Sequence, residues 1–255
     1  MKKILINTGL FILLLISITV LFFSCTKDKK TAPNSPASIS ASAKDYLSST
    51  DYDKLVIQIQ YVNGLQPTAG AVEDIKTFLS NRLNKPNGIE VVYSNINSPG
   101  RSVYTIEDIR NIEAINRTVK NEGKTITSYI LFLDGEYSQN TSNSKTLGVA
   151  FGSSSMVIFE KTIRDFSGGL GQPSLGAAEV LVTEHELCHI LGLVNNGSNM
   201  VAAHQDETHG KHCNNSNCLM YYEAETSNIL NNLLGNNVPS LDQNCINDLK
   251  ANGGK

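Results

Sequence analysis

The chain has 255 residues, 40% of them hydrophobic and 18% charged. That is enough apolar mass for a packed domain and too much for wholesale disorder. Lys and Arg number 21 against 24 Asp and Glu, a formal charge of −3, and no basic run stands out, so a strongly basic nucleic-acid binder is excluded. Trp is absent and aromatic residues make up 7% of the chain, a poor endowment for a base-stacking platform, and no fixed-period repeat signals a solenoid or propeller.

The chain opens with basic Met1-Lys2-Lys3, runs through a mostly apolar stretch from Ile4 to Phe23 and turns polar at Thr26. This layout reads as an export signal over residues 1–24. The alternative is an uncleaved anchor helix, since about twenty apolar residues can span a bilayer. The segment Leu21-Phe22-Phe23-Ser24-Cys25 resembles a bacterial lipoprotein signal, in which cleavage precedes a cysteine that is then lipidated. That resemblance implies a membrane anchor through Cys25, and Thr26 after it resembles outer-membrane routing. The expected location is therefore the cell envelope of a bacterium, at the outer membrane or cell surface. Residues 25–49, rich in Ser, Ala, Lys and Pro, read as the lipidated cysteine and a flexible tether, leaving 50–255 as one domain.

Within that domain, apolar alternation predicts a strand over Lys54–Val62, and helical spacing of Val72, Ile75, Phe78, Leu79 and Leu83 predicts a helix from Pro67 to Leu83. A strand over Gly88–Tyr93, a helix capped by Thr105 and running through Val119, and a strand over Thr127–Leu133 follow. This β-α-β-α-β order favours a mainly parallel sheet with helical cover. Leu147–Phe151 and Ser155–Phe159, joined by Gly152-Ser153-Ser154, predict an antiparallel hairpin at one edge. Ser174 can cap a long helix over Leu175–Val194, ended by Asn195-Asn196-Gly197. Residues 197–221 read as loop, and two weaker helices are expected near 222–234 and 240–250.

Beyond Cys25 the cysteines are Cys188, Cys213, Cys218 and Cys245, an even number for an exported protein. Three pairings are open. The shortest loop would be closed by Cys213–Cys218, leaving Cys188 with Cys245 to staple the long helix to the C-terminus. Buried thiols are the alternative.

The long helix carries His185-Glu186-Leu187-Cys188-His189. Residues i and i+4 share a helix face, so both imidazoles can bind one metal ion while Glu186 projects beside it. Zn²⁺ suits imidazole ligands, and a catalytic zinc keeps one position for water. Glu186 is then the candidate general base.

At these residues the chain resembles the metzincin clan of zinc peptidases. Gly192 stands where that clan has its glycine, whereas Asn195 stands where the clan has its third histidine. The segment His212-Cys213-Asn214-Asn215-Ser216-Asn217-Cys218-Leu219-Met220 resembles the His-Cys-x4-Cys-x-Met segment of archaemetzincins. The resemblance implies that His185, His189 and His212 hold one catalytic zinc ion and that Met220 forms the turn beneath it. Residues Asn195–Lys211 are then an insertion. The family's downstream Cys-x-x-Cys is reduced to the single Cys245, which speaks for a Cys213–Cys218 disulfide rather than a second, structural zinc. The implied fold is a metzincin-like α/β zincin: a mixed, mostly parallel sheet with an antiparallel edge strand, a long active-site helix and a small helical C-terminal subdomain. The implied activity is hydrolysis of a polypeptide substrate laid along edge strand Leu147–Phe151. Tyr222 resembles the tyrosine that some metzincins place near zinc, with a packed tyrosine as the plainer alternative.

Other readings stay open. His209 and His204 rival His212 as third ligand, or could hold a second ion with Asp206. A gluzincin would use Glu207, Glu223 or Glu225 instead. A non-catalytic zinc-binding surface lipoprotein would bind metal without hydrolysing any polypeptide.

Overall fold

The computed structural model describes residues 41–233 and 236–255. The expected signal, Cys25 and most of the tether lie outside the described residues. Strands β1 (Lys54–Val62), β2 (Ile89–Ile96), β4 (Thr125–Phe132), β6 (Gly148–Phe151) and β7 (Ser155–Ile158) form one sheet in the order β2-β1-β4-β7-β6. The first four neighbours run parallel and β6 runs antiparallel to β7 at the edge. The expected α/β architecture is thus observed.

Strand alternation assigns the two faces. On β1, Leu55, Ile57 and Ile59 join Ile126, Ile130 and Phe132 of β4 in the larger core, beneath helices α2 (Ala69–Ser80) and α5 (Leu175–Ile190). Tyr129, Leu131, Val157 and Phe159 point the other way and pack with Ile109 of α3 (Ile106–Asn116). Helices on both faces of a parallel sheet are what β-α-β crossovers produce. The α3 face also buries Gln58 and Gln60. Gln58 Oε1 accepts the Thr118 and Val119 N–H groups, and Gln60 accepts the Tyr129 hydroxyl, so neither amide is stranded.

Three differences from the sequence reading are instructive. A short helix, α1 (Ala43–Leu47), lies in the stretch read as tether, and its Tyr46 and Leu47 are fully buried. The segment is tied down by Lys85, whose ammonium donates to the carbonyls of Asp45, Ser48 and Tyr52. Such a long-range contact leaves no local periodicity to read. A two-stranded parallel ribbon, β3 (Val103–Tyr104) with β5 (Glu136–Tyr137), and helix α4 (Glu160–Asp165) are too short to announce themselves. The helix expected near 222–234 is broken into a 3₁₀ turn, Tyr222–Glu225, and helix α6 (Ser227–Asn232), followed by α7 (Gln243–Ala251).

Glu160, the first residue of α4, is wholly buried. Burial and the facing carboxylate of Glu179 push its carboxyl up to about 8 despite the Arg164 guanidinium beside it. Between the ordinary value of 4.5 and about 8, the folded chain keeps a proton that the unfolded chain releases, so stability falls as pH rises through that window. Thermal melts by calorimetry should show Tm falling from about pH 5 to pH 8, with a shallower fall in Glu160→Gln. An unchanged slope in the variant would contradict this assignment.

Candidate metal centre

Helix α5 starts at Ser174, whose hydroxyl accepts the Ala177 N–H. Nearly every side chain from Ala178 to Cys188 is buried, because the sheet covers one side of the helix and the C-terminal segments the other. It ends one residue after His189, at Ile190. Gly192 has φ 78°, and a Cβ there would fall 2.6 Å from the Ser198 nitrogen and 2.6 Å from the Ala43 Cβ. Only glycine permits both that backbone angle and that approach. The chain can therefore turn back immediately behind the His-Glu-x-x-His turn.

His185 and His189 bring their Nε2 atoms within 3.1 Å of each other. His212 and Glu225, before and after Met220 in the chain, add the rest. His212 faces His185 with ring centroids 5.3 Å apart and His189 at 5.0 Å. Donor atoms of His185, His189, His212 and Glu225 all lie within 4.8 Å of one another. Two of the rings are fixed from behind: His185 Nδ1 donates to the Leu219 carbonyl at 2.8 Å and His212 Nδ1 to the His209 carbonyl at 3.0 Å. That tautomer leaves each Nε2 lone pair facing inward. His212 Nε2 is buried without a hydrogen-bond partner, and burial pushes His185 down to about 4, so its ring is neutral. Inward lone pairs next to a carboxylate repel one another unless a cation sits among them. The donor set, three imidazoles and a carboxylate, fits Zn²⁺.

Glu186 lies alongside. Its Oε2 accepts the Ala150 N–H of β6 at 2.6 Å, while Oε1 is buried without a partner. The strand can come this close because residue 148 is glycine: a Cβ there would meet Glu186 Cγ at 2.8 Å and Val182 Cγ1 at 2.7 Å. Burial, then the Glu225 charge, raises the Glu186 carboxyl well above the usual range; a cation at the histidines would pull it back.

The other candidates go elsewhere. His209 stacks on Tyr222, centroids 3.6 Å apart, and its Nδ1 contacts Asp206 at 2.9 Å. It serves His212 through its carbonyl, and it is outside the convergent set. Tyr222 is half-buried in its stack with His209. Glu207 and Glu223 are also outside that set, and Glu225 is inside it together with His212.

His204 belongs to a second cluster. The expected disulfides are not formed: Cys188, Cys213, Cys218 and Cys245 are all free and buried. Cys188 sits apart on α5, and the other three converge. Cys218 Sγ lies 3.7 Å from Cys245 Sγ, and His204 Nδ1 lies 3.4 Å from Cys213 Sγ and 4.0 Å from Cys245 Sγ. His204 Nε2 contacts buried Asp248 at 2.8 Å, the imidazole–carboxylate pairing common behind metal-bound histidines. Cys218 Sγ accepts the N–H groups of Met220 and Asp242. Hydrogen bonds from the Cys213 and Cys245 thiols hold its own thiol down at about 4. Asp242 belongs to the same donor group, within 4.8 Å of His204, Cys213 and Cys245; one of its oxygens accepts from Cys213 Sγ at 3.3 Å and the other caps α7. The Cys-x4-Cys spacing announced this cluster only in part, since His204 comes from the insertion and Cys245 from the last helix.

No protein-family model matches the chain, and neither does any curated protein. Among solved structures it is similar to archaemetzincin from Methanopyrus kandleri, with TM-score 0.51 and 17% identity over 80% of this chain and 96% of that one. A zinc-dependent peptidase from Methanocorpusculum labreanum gives TM-score 0.47 and 14% identity, covering 76% of this chain and 99% of that one. The chain therefore shares its mixed, mostly parallel sheet and its helical arrangement with the archaemetzincin fold.

Proposed function

We propose that the chain is an exported, lipid-anchored zinc endopeptidase of the cell envelope, with His185, His189 and His212 holding the catalytic ion and Glu186 as general base. The observation that carries this reading is the convergence of three imidazoles, two of them fixed from behind by backbone carbonyls, whose donor nitrogens lie within 4.8 Å of one another. When bound there, zinc acidifies a water and polarises a peptide carbonyl. The rest falls to the chain's own groups. An extended polypeptide pairs with the outer edge of β6 by backbone hydrogen bonds. Glu186 Oε1, the oxygen without a partner, takes the proton of the attacking water and passes it to the leaving amine nitrogen. Ala150 holds the other oxygen and so fixes the carboxyl plane.

A second, structural zinc at Cys213, Cys218, Cys245 and His204 is part of the same reading. Cys213, Cys245, His204 and Asp242 bring donor atoms within 4.8 Å of one another, and the Cys218 thiol lies 3.7 Å from Cys245, so protein ligands suffice to close such a site. In an oxidising compartment, thiols so close together persist unpaired when a metal holds them.

The test is hydrolysis of an unfolded, carboxymethylated polypeptide by the purified full chain. Cleavage is expected, and it should be lost with a chelator and in His212→Ala. Zinc bound at the histidines with no cleavage of any unfolded polypeptide would favour the non-catalytic surface protein instead.

A further inference from the structure

We propose that Glu225 is a fourth ligand of the ion at His185, His189 and His212, closing the centre in the resting protein and leaving it when a peptide pairs along β6. This inference rests on the zinc centre proposed above and concerns its regulation.

The position of the carboxylate is the first reason. Glu225 Oε2 lies 3.7 Å from His212 Nε2. That nitrogen faces the ion, because Nδ1 is already spent on the His209 carbonyl. A carboxylate that only oriented His212 would sit behind the ring, at the nitrogen turned away from the donor group, as Asp248 sits at His204 Nε2 while Nδ1 faces Cys213. Glu225 instead shares the inner side with all three imidazoles, within 4.8 Å. Three imidazoles and one carboxylate complete a tetrahedral zinc shell and leave no position for water.

The backbone around Glu225 is the second reason, and it is independent of the metal. Thr226 bridges Thr146 in antiparallel fashion. The Leu147 N–H donates to the Glu225 carbonyl and the Ser227 N–H to the Lys145 carbonyl, both at 2.8 Å, while the Lys145 N–H donates to Ser227 Oγ at 3.0 Å. Residues 225–227 therefore lie as a short added strand on the run that leads into β6. A peptide paired with β6 and extended towards residue 145 must take these same hydrogen bonds. Its binding peels the segment away and carries the Glu225 carboxylate off the ion, so one protein ligand leaves and a water enters in its place. The competition couples substrate occupancy to the opening of the centre.

The experiment uses the full chain as wild type, Glu225→Gln, Glu225→Ala and His212→Ala. Zinc affinity is measured by chelator competition, and binding of acetohydroxamate, which needs an open position on the ion, by calorimetry. Both Glu225 variants should lose zinc affinity about tenfold or more, while zinc-loaded variants bind acetohydroxamate more tightly than wild type. Retained zinc at the thiol cluster reports that a variant is folded. Wild type substituted with Co²⁺ needs no variant: it should give no inner-sphere relaxation of water protons until an unfolded polypeptide is added. Unchanged zinc and acetohydroxamate affinities in folded variants, or a relaxing water in the resting wild type, would overturn the role of Glu225 while leaving the centre intact. If His212→Ala keeps all its zinc, the centre itself has failed, and the inference falls with it.

Discussion

Glu186→Gln is expected to keep its full zinc content while losing peptide hydrolysis by about 10²–10⁴-fold, the usual contribution of a positioned general base. The amide oxygen can still accept the Ala150 N–H and fills the same space between α5 and β6, so the helix and its histidines stay in place. The amide cannot accept a proton from water. Zinc content by mass spectrometry and kcat on the unfolded polypeptide check the two halves together. A variant with full zinc and wild-type kcat would remove Glu186 from the mechanism. Loss of zinc as well as activity would mean that the carboxylate works chiefly as a packing or charge element.

The second large effect is expected from the thiol cluster. In Cys245→Ser the proposed structural ion would lose one of its thiolates, and with it the tie between α7 and the Met220 turn. Zinc binding to such a site is folding free energy, about 10–16 kcal/mol in isolated zinc-binding peptides. A domain of this size has its own core and will lose less. Even about 3–5 kcal/mol would lower Tm by roughly 10 °C, at 2–4 °C per kcal/mol. The damage should spread to the histidine centre, because Leu219, whose carbonyl fixes His185, lies between Cys218 and Met220. Calorimetry of the full chain should therefore show a lower Tm in Cys245→Ser than in His212→Ala. Equal melting of Cys245→Ser and wild type would mean that no ion stabilises the cluster.

Much of the fold was legible because its signals are local. The period-two pattern of Lys54–Val62, the helical spacing of Val72, Ile75 and Leu79, and the glycine turn between β6 and β7 gave the sheet and its antiparallel edge. His185, Glu186 and His189 were legible for the same reason, since their spacing is a helix turn. His212 came from its resemblance to a family segment, across an insertion that no periodicity spans. What was missed depends on contacts distant in sequence. Helix α1 belongs to the domain through Lys85 and the buried Tyr46 and Leu47. The thiols were expected to pair by proximity in sequence, yet Cys218 meets Cys245, 27 residues on, while Cys245 and Cys213 gather at His204. Glu225 entered only as a replacement for a third histidine, whereas both residues reach the same centre.

The central claim, two metal ions held by two separate donor sets, is tested most directly by counting zinc in the purified full chain by mass spectrometry. Two ions per chain are expected in the wild type, one in His212→Ala and at most one in Cys245→Ser. Folded wild-type protein without zinc, or His212→Ala with an undiminished count, would contradict it.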